Sequence, residues 1–222
     1  LTNLYKSEED IMFASRIGIR AMTIDSIEEL NRTIKVARGL DTPVNIFLRM
    51  NPLIKIEGYT TTKHQYGIPA DQIKTAIDKA AAAENVHIVG IHWHGAYVPS
   101  PEVYHLGLRE MMPIVAYARE MGCNVEYVDL GGGFPVEYGD EKIFTPEDMG
   151  PGFVSEFEEL LEEYNLPKLT LVFEPGKFIV ANSGIGVTRV VSVKDLGDRK
   201  IAVVDGSTYA MLPDPLVWEC YY

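Results

Sequence analysis

The chain has 222 residues, 46% of them hydrophobic and 23% charged, and its 20 Lys and Arg against 32 Asp and Glu give a formal charge of −12. That balance argues against a nucleic-acid partner, whose affinity rests on clustered Lys and Arg, and no apolar run is long enough to cross a bilayer as a helix. Two cysteines, Cys123 and Cys220, suggest neither a disulfide framework nor a zinc site, so a reducing cytoplasm is the expected setting.

Leu1 stands where a methionine would begin a chain, and Asn3-Leu-Tyr-Lys-Ser-Glu-Glu-Asp10 reads like the middle of a longer one. Ser7 with Asp10 predicts a capping box ahead of a helix that stops near Gly18, and Ser26 with Glu29 predicts a second ahead of a helix stopping at Gly39. Ile19 to Asp25 between them, and then Val44 to Met50, read as strands. A polar insertion from Pro52 to Tyr66 follows, then a helix from Ala70 to Asn85 with Ile73, Ala76, Ile77 and Ala80 as its apolar stripe. Three strands then each end in a short motif: Ile88-Val-Gly-Ile-His-Trp-His94, Val128-Asp-Leu-Gly-Gly-Gly-Phe-Pro135 and Leu171-Val-Phe-Glu-Pro-Gly176. Helices over roughly Pro101 to Met121 and Pro146 to Tyr164 connect them. From Gly186 the alternation stops, and Val187 to Val193 with Ile201 to Val204, joined by a polar turn at Asp195 to Asp198, predict a hairpin.

The apolar runs are too continuous for half-exposed antiparallel strands, so the first part of the chain is a parallel βα series. Five such strands cannot close the common eight-stranded barrel. Either the sheet is open and doubly wound, or three strands lie upstream of Leu1. The chemistry favours the barrel, in which phosphates bind at the loops after the last two strands. A glycine triplet lets backbone N–H groups approach an anion, a Pro-Gly step aims a helix's positive end at the same place, and His94 and Glu174 supply what a heteroaromatic cofactor needs.

At these residues the chain resembles the barrel-type, fold type III decarboxylases dependent on pyridoxal 5'-phosphate (PLP), which include diaminopimelate, ornithine and carboxynorspermidine decarboxylases. Asn3 to Asp10 is similar to the family's segment after its third strand. Ala21-Met-Thr-Ile-Asp-Ser-Ile-Glu-Glu-Leu30 is similar to its Thr-x-Asp-Ser-x-x-Glu-Leu element, and Leu48-Arg-Met-Asn-Pro52 to the diaminopimelate branch's Leu-Arg-Val-Asn-Pro. Gln65-Tyr-Gly-Ile68, His92-Trp-His94, Asp129 to Pro135, Glu174-Pro-Gly-Lys177 and Val204-Asp-Gly206 follow in family order. No single one of these is specific, but the ordered series is.

The resemblance implies a PLP-binding (β/α)8 barrel domain over 1–184, represented by about five βα units, and the start of a β-rich C-terminal domain over 185–222. It implies that His94 stacks on the cofactor ring, that Gly131, Gly132, Gly133 and Gly176 bind its phosphate with Lys177 beside them, and that Glu174 holds the pyridine nitrogen. It also implies decarboxylation of an amino acid by a homodimer in the intact enzyme. The family's Schiff-base lysine belongs to a strand preceding Leu1, since Lys6 lies in a later element, and its catalytic cysteine to a segment beyond Tyr222, since Cys220 falls too early. These 222 residues alone are therefore expected to be inactive.

Several positions depart from the family. Lys177 replaces an arginine, which loses the bidentate fork for an anion. Gly95-Ala-Tyr97 replaces Ile-Gly-Ser, and Gln65 replaces a lysine. Ser207 to Asp214 lacks the arginine that the diaminopimelate branch uses for its substrate's distal carboxylate, so the amino acid is left open. Two rival readings remain: a barrel hydrolase with His92, His94 and Asp129 as metal ligands, and a decarboxylase-like homologue that binds or regulates a partner without catalysis. A Rossmann domain is disfavoured by the spacing of the triplet. Without a cofactor, the triplet would be a tight turn, Glu174 a helix-start carboxylate, and His92 a packed or hydrogen-bonded strand residue.

Overall fold

In the computed structural model, which describes residues 1–61, 65–137 and 142–211, the strands and helices alternate in chain order. They run α1 (Glu8–Arg16), β1 (Met22–Ile24), α2 (Ile27–Ala37), β2 (Val44–Asn51), β3 (Lys55–Ile56), β4 (Tyr59–Thr60), β5 (Ile68–Pro69), α3 (Ile73–Ala81), β6 (Val86–His92), α4 (Pro101–Glu120), β7 (Tyr127–Asp129), α5 (Pro146–Glu163) and β8 (Thr170–Val172). After these come α6 (Gly176–Val180), β9 (Val190–Asp195), β10 (Lys200–Val204) and α7 (Thr208–Met211). His64, Cys220 and the end of the Ser207 to Asp214 segment lie outside the described residues.

The chain forms two compact units, one of 1–135 with 144–176 and the other of 136–143 with 177–222. In the first, β1, β2, β6, β7 and β8 are parallel neighbours in that order, and β5 pairs with the end of β2. Spatial order follows chain order without reversal, as in the wall of a barrel; a doubly wound sheet would reverse at a switch point. The helices pack in the same succession, α1 on α2, α2 on α3, α3 on α4 and α4 on α5. The core between the layers is apolar, with Ile24, Ile46 and Leu48 from the strands and Leu30, Ile77 and Leu108 from the helices fully buried. Each such side chain stabilises the fold by about 1.5–3 kcal/mol.

Local chemistry explains the helix starts. Ser7 and Asp10 form the full capping box, as do Thr145 and Asp148 at α5. The second expected box forms only by half. Ser26 Oγ accepts the Glu29 N–H, but the Glu29 carboxylate accepts the N–H groups of Lys6 and Asp25 and pairs with the Lys6 ammonium at 3.0 Å. A buried cation thus takes the carboxylate that a solvent-exposed cap would have used. The predicted strand at 19–25 contracts to β1, and the helix at 70–85 contracts to α3, whose Gln72 cap makes no side-chain bond. Within the insertion β3 and β4 form a short hairpin, turned at Gly58 with φ +74°.

In the second unit β9 and β10 pair antiparallel, with an irregularity at Val203/Val204. Asp195 Oδ1 accepts the Gly197 N–H at 2.8 Å, and Gly197 at φ +88° makes the turn.

Candidate functional site

The strand register brings Arg49, His92, Asp129 and Val172 side by side at the carboxyl ends of β2, β6, β7 and β8. The three sequence motifs continue from this row, so His94, Gly131 to Gly133 and Glu174 come together just beyond it. Backbone bonds lock the loops to one another: Trp93 N–H to Asp129 O at 2.9 Å, Leu130 N–H to Val172 O at 3.0 Å, Glu174 N–H to Gly131 O at 2.8 Å and Val98 N–H to Gly133 O at 3.0 Å.

The glycine triplet is dictated by this crowding. Gly131 and Gly133 have φ of +63° and +108°, where a side chain is strained. A Cβ on Gly131 would stand 2.6 Å from Trp93 O, and one on Gly133 would stand 1.9 Å from Ala96 O. Asp129 Oδ1 accepts the Gly131 N–H at 2.9 Å, and His94 Nδ1 accepts the Gly132 N–H at 3.0 Å. The expected three-donor anion cradle is therefore narrower, because two of its N–H groups already serve the turn. The second bond fixes the His94 ring and leaves Nδ1 as the acceptor atom.

Two tyrosines brace the same loops. Tyr104 of α4 donates its hydroxyl to Gly132 O at 3.1 Å, and Tyr59 of β4 donates to Gly95 O at 2.5 Å. Burial raises both phenols, that of Tyr59 to about 12. Arg49 pairs with Asp25 at 3.1 Å, lies over the Tyr66 ring at 4.9 Å, and shares Asp25 Oδ1 with the Gly67 N–H. Neither tyrosine was singled out from the sequence, whereas Asp25 lies in the Ala21 to Leu30 motif. The Leu-Arg-Met-Asn-Pro motif was the signal that pointed to Arg49.

His92, Asp129 and Glu174 form the charged centre, with one donor atom from each lying within 4.8 Å of the others. His92 is 1% exposed, and neither of its ring nitrogens has a hydrogen-bond partner. Its Nε2 lies 3.8 Å from Glu174 Oε2, an ion-pair contact that becomes a hydrogen bond with a small turn of the Glu174 side chain, which is 39% exposed. The nearby His92 ring N–H first, and then the charges of His92, His94 and Arg49, hold Glu174 below the usual carboxylate range against the effect of burial. Burial pushes Asp129 up to about 6, opposed by His92 and by the Gly131 N–H.

The metal reading grouped His92 with His94 and Asp129. In the structure Glu174 takes the third place, and His94 Nδ1 is engaged by Gly132. Gly176 turns its N–H back to Glu174 O at 2.8 Å and opens a helix of only five residues, a weaker dipole than the sequence suggested. Lys177 is in the second unit. A cavity of about 640 Å³ lies at the opposite ends of the strands beside Arg20, Asn45 and His87, away from this chemistry.

A ring-binding site needs a flat contact, a carboxylate for a ring nitrogen and a tight turn, and the first unit brings all three together. The family described as pyridoxal-dependent decarboxylase, pyridoxal binding domain, matches residues 1–181. Diaminopimelate decarboxylase of Pseudomonas aeruginosa is 29% identical over 208 residues, which are 91% of this chain and 48% of that protein. The diaminopimelate decarboxylase structure from M. jannaschii in co-complex with L-lysine superposes with a TM-score of 0.84 and 26% identity, over 100% of this chain and 52% of that one. The Helicobacter pylori diaminopimelate decarboxylase structure complexed with L-lysine has a TM-score of 0.85 at 22% identity, over 100% and 55%, a likeness of fold. The chain thus spans about half the length of the curated relatives it matches.

Proposed function

The chain belongs to the pyridoxal-dependent decarboxylases, as their pyridoxal binding domain, and on that premise we propose that it forms the later strands of the PLP barrel of an amino-acid decarboxylase of the diaminopimelate decarboxylase type. The observation that carries the reading is the meeting of His94, Gly132 and Glu174 at one end of three adjacent parallel strands.

These residues fit the cofactor. His94, held by the Gly132 N–H, offers a flat imidazole to a ring face. Glu174, kept as a carboxylate, offers an acceptor to a protonated pyridine nitrogen. The Gly133 N–H, which donates to no group among the described residues, is the triplet's donor for a phosphate. When bound, the cofactor supplies an electron sink for the pair released as the substrate's carboxylate leaves as carbon dioxide. Glu174 keeps the ring-nitrogen proton in place by favouring the charged form. Asp129 holds the glycine turn, and Tyr59 and Tyr104 tie the loops so that the imidazole and the carboxylate stay in register.

The substrate on this reading is an amino acid, and the intact enzyme is a cytoplasmic homodimer. The test is PLP titration of the chain followed by absorbance, with His94→Ala and Glu174→Gln alongside, and a crystal structure of the PLP-soaked protein. Saturable binding weakened by either substitution is expected. PLP or phosphate bound away from His94, Gly132 and Glu174 would sink the proposal.

A further inference from the structure

We propose that His92 is a positioning residue of this site: from its buried place between Asp129 and Glu174 it anchors the Glu174 carboxylate where a cofactor's ring nitrogen would meet it. The inference rests on the function proposed above and goes beyond it by giving a role to a residue that does not itself face the cofactor.

A buried imidazole with two unpaired nitrogens is costly, and native interiors rarely keep one without a reason. His92 is such a residue at 1% exposure, yet its Nε2 points to within 3.8 Å of Glu174 Oε2. On its other side Asp129 is its register partner on β7. Asp129 already has one oxygen committed to the Gly131 N–H, so it is fixed in place. His92 thus stands between one carboxylate locked into a turn and another that is partly free. The Glu174 carboxylate lies within ion-pair distance of His92. A side chain 39% exposed on a loop would otherwise sample several rotamers, and one fixed donor removes most of that freedom.

Burial excludes His92 from contact with reacting atoms, so it acts through Glu174. The charged and titratable groups facing Glu174 are His92 and His94 at the end of β6, Asp129 on β7, Arg49 on β2 and the amino group of Leu1. Of these, His92 has the largest influence on the Glu174 carboxyl, and it lowers it. Losing His92 while the other four remain must therefore move the Glu174 titration upward.

The experiment uses this chain with ¹³C-labelled glutamate carboxyls and follows Glu174 by NMR against pH, its signal assigned by its disappearance in Glu174→Gln. Wild type, His92→Leu and His92→Gln are compared, each checked for cooperative thermal unfolding, and PLP affinity is measured in parallel. His92→Leu is expected to fold, because His92 makes no hydrogen bond to lose, and to titrate Glu174 at higher pH than wild type. His92→Gln, which keeps an N–H donor, is expected to fall between. PLP should bind about tenfold more weakly to His92→Leu, the scale of losing one charged partner that orients the carboxylate. An unchanged Glu174 titration in His92→Leu overturns the proposal whatever PLP does, and if that variant does not fold, an unchanged titration in His92→Gln does the same. A shifted titration in a protein that binds no PLP supports the His92–Glu174 pair and removes the cofactor reading instead.

Discussion

Gly132 and Glu174 meet so closely that a Cβ added to the glycine would lie 2.3 Å from the glutamate's carbonyl oxygen. The obstacle is backbone, and Glu174 N–H is itself bonded to Gly131 O, so the two loops cannot part without losing that bond. Gly132→Ala should therefore cost about 1–3 kcal/mol in a denaturant melt, the range for overpacking a close contact. It should also displace His94, whose Nδ1 is bonded to the same residue. An alanine variant as stable as wild type would show that the loops slide apart freely.

Much of this was legible in the sequence for definite reasons. The parallel βα series showed in continuous apolar runs. The barrel course followed from where the motifs fall, and the strand order without reversal bears it out. His94 and Glu174 could be named because their motifs end strands. The glycine triplet was visible, but its reason was not: it looked like an anion cradle, and its N–H groups turn largely inward because Asp129 and His94 reach back to them, an arrangement set by neighbouring strands. His92 was read as a packed or hydrogen-bonded strand residue; it is packed, but its Nε2 lies 3.8 Å from Glu174 Oε2, and it groups with the carboxylates of Asp129 and Glu174, which come from different parts of the chain. Pro113 lies inside α4, whose full span was nonetheless predicted from its apolar periodicity.

Lys6 and Glu29 form an ion pair deep in the first unit, 0% and 2% exposed. Glu29 also accepts the Lys6 and Asp25 N–H groups, and Lys6 Nζ donates to Asn3 O at 2.8 Å, so the pair ties the chain ahead of α1 to the end of β1. Removing one partner leaves a buried charge, which costs about 3–5 kcal/mol, while replacing both with apolar groups costs much less. Lys6→Met and Glu29→Leu should each be strongly destabilised, and the double variant should recover much of the loss. Losses that simply add would contradict the pairing.

Asp129 gives a pH dependence of determined sign. Its carboxyl, 3.8 when unperturbed, is pushed up to about 6 in the fold by burial. The folded state holds this proton more tightly than the unfolded chain, so the group favours folding below about 4, and stability is lost as pH rises through 4 to 6. Asp129→Asn stays neutral and can still accept the Gly131 N–H with its amide oxygen. Relative to wild type, the variant should gain on the order of 2–3 kcal/mol between pH 4 and pH 7. Chemical denaturation at both pH values measures this, and a pH-independent difference would mean that Asp129 is ionised at no cost in the fold.

Gly107 in α4 faces the Trp93 ring, where an added Cβ would stand 2.3 Å from Cζ3. Trp93 is 1% exposed and meets Tyr104 edge-on at 6.4 Å, so it has little room to yield. In an exposed helix Gly→Ala would add about 0.5–1 kcal/mol of stability. Here the clash outweighs the propensity, and Gly107→Ala should lose about 1–2 kcal/mol instead. Trp93→Phe alone should also be destabilised by loss of packing, but it vacates the space that alanine needs. The double variant should therefore be more stable than the sum of the single losses allows, a coupling of about 1 kcal/mol or more in a double-mutant cycle. Because Trp93 sits between His92 and His94, the Gly107→Ala clash should reach both. Its PLP affinity should fall with its stability, and the Trp93→Phe background should restore both together.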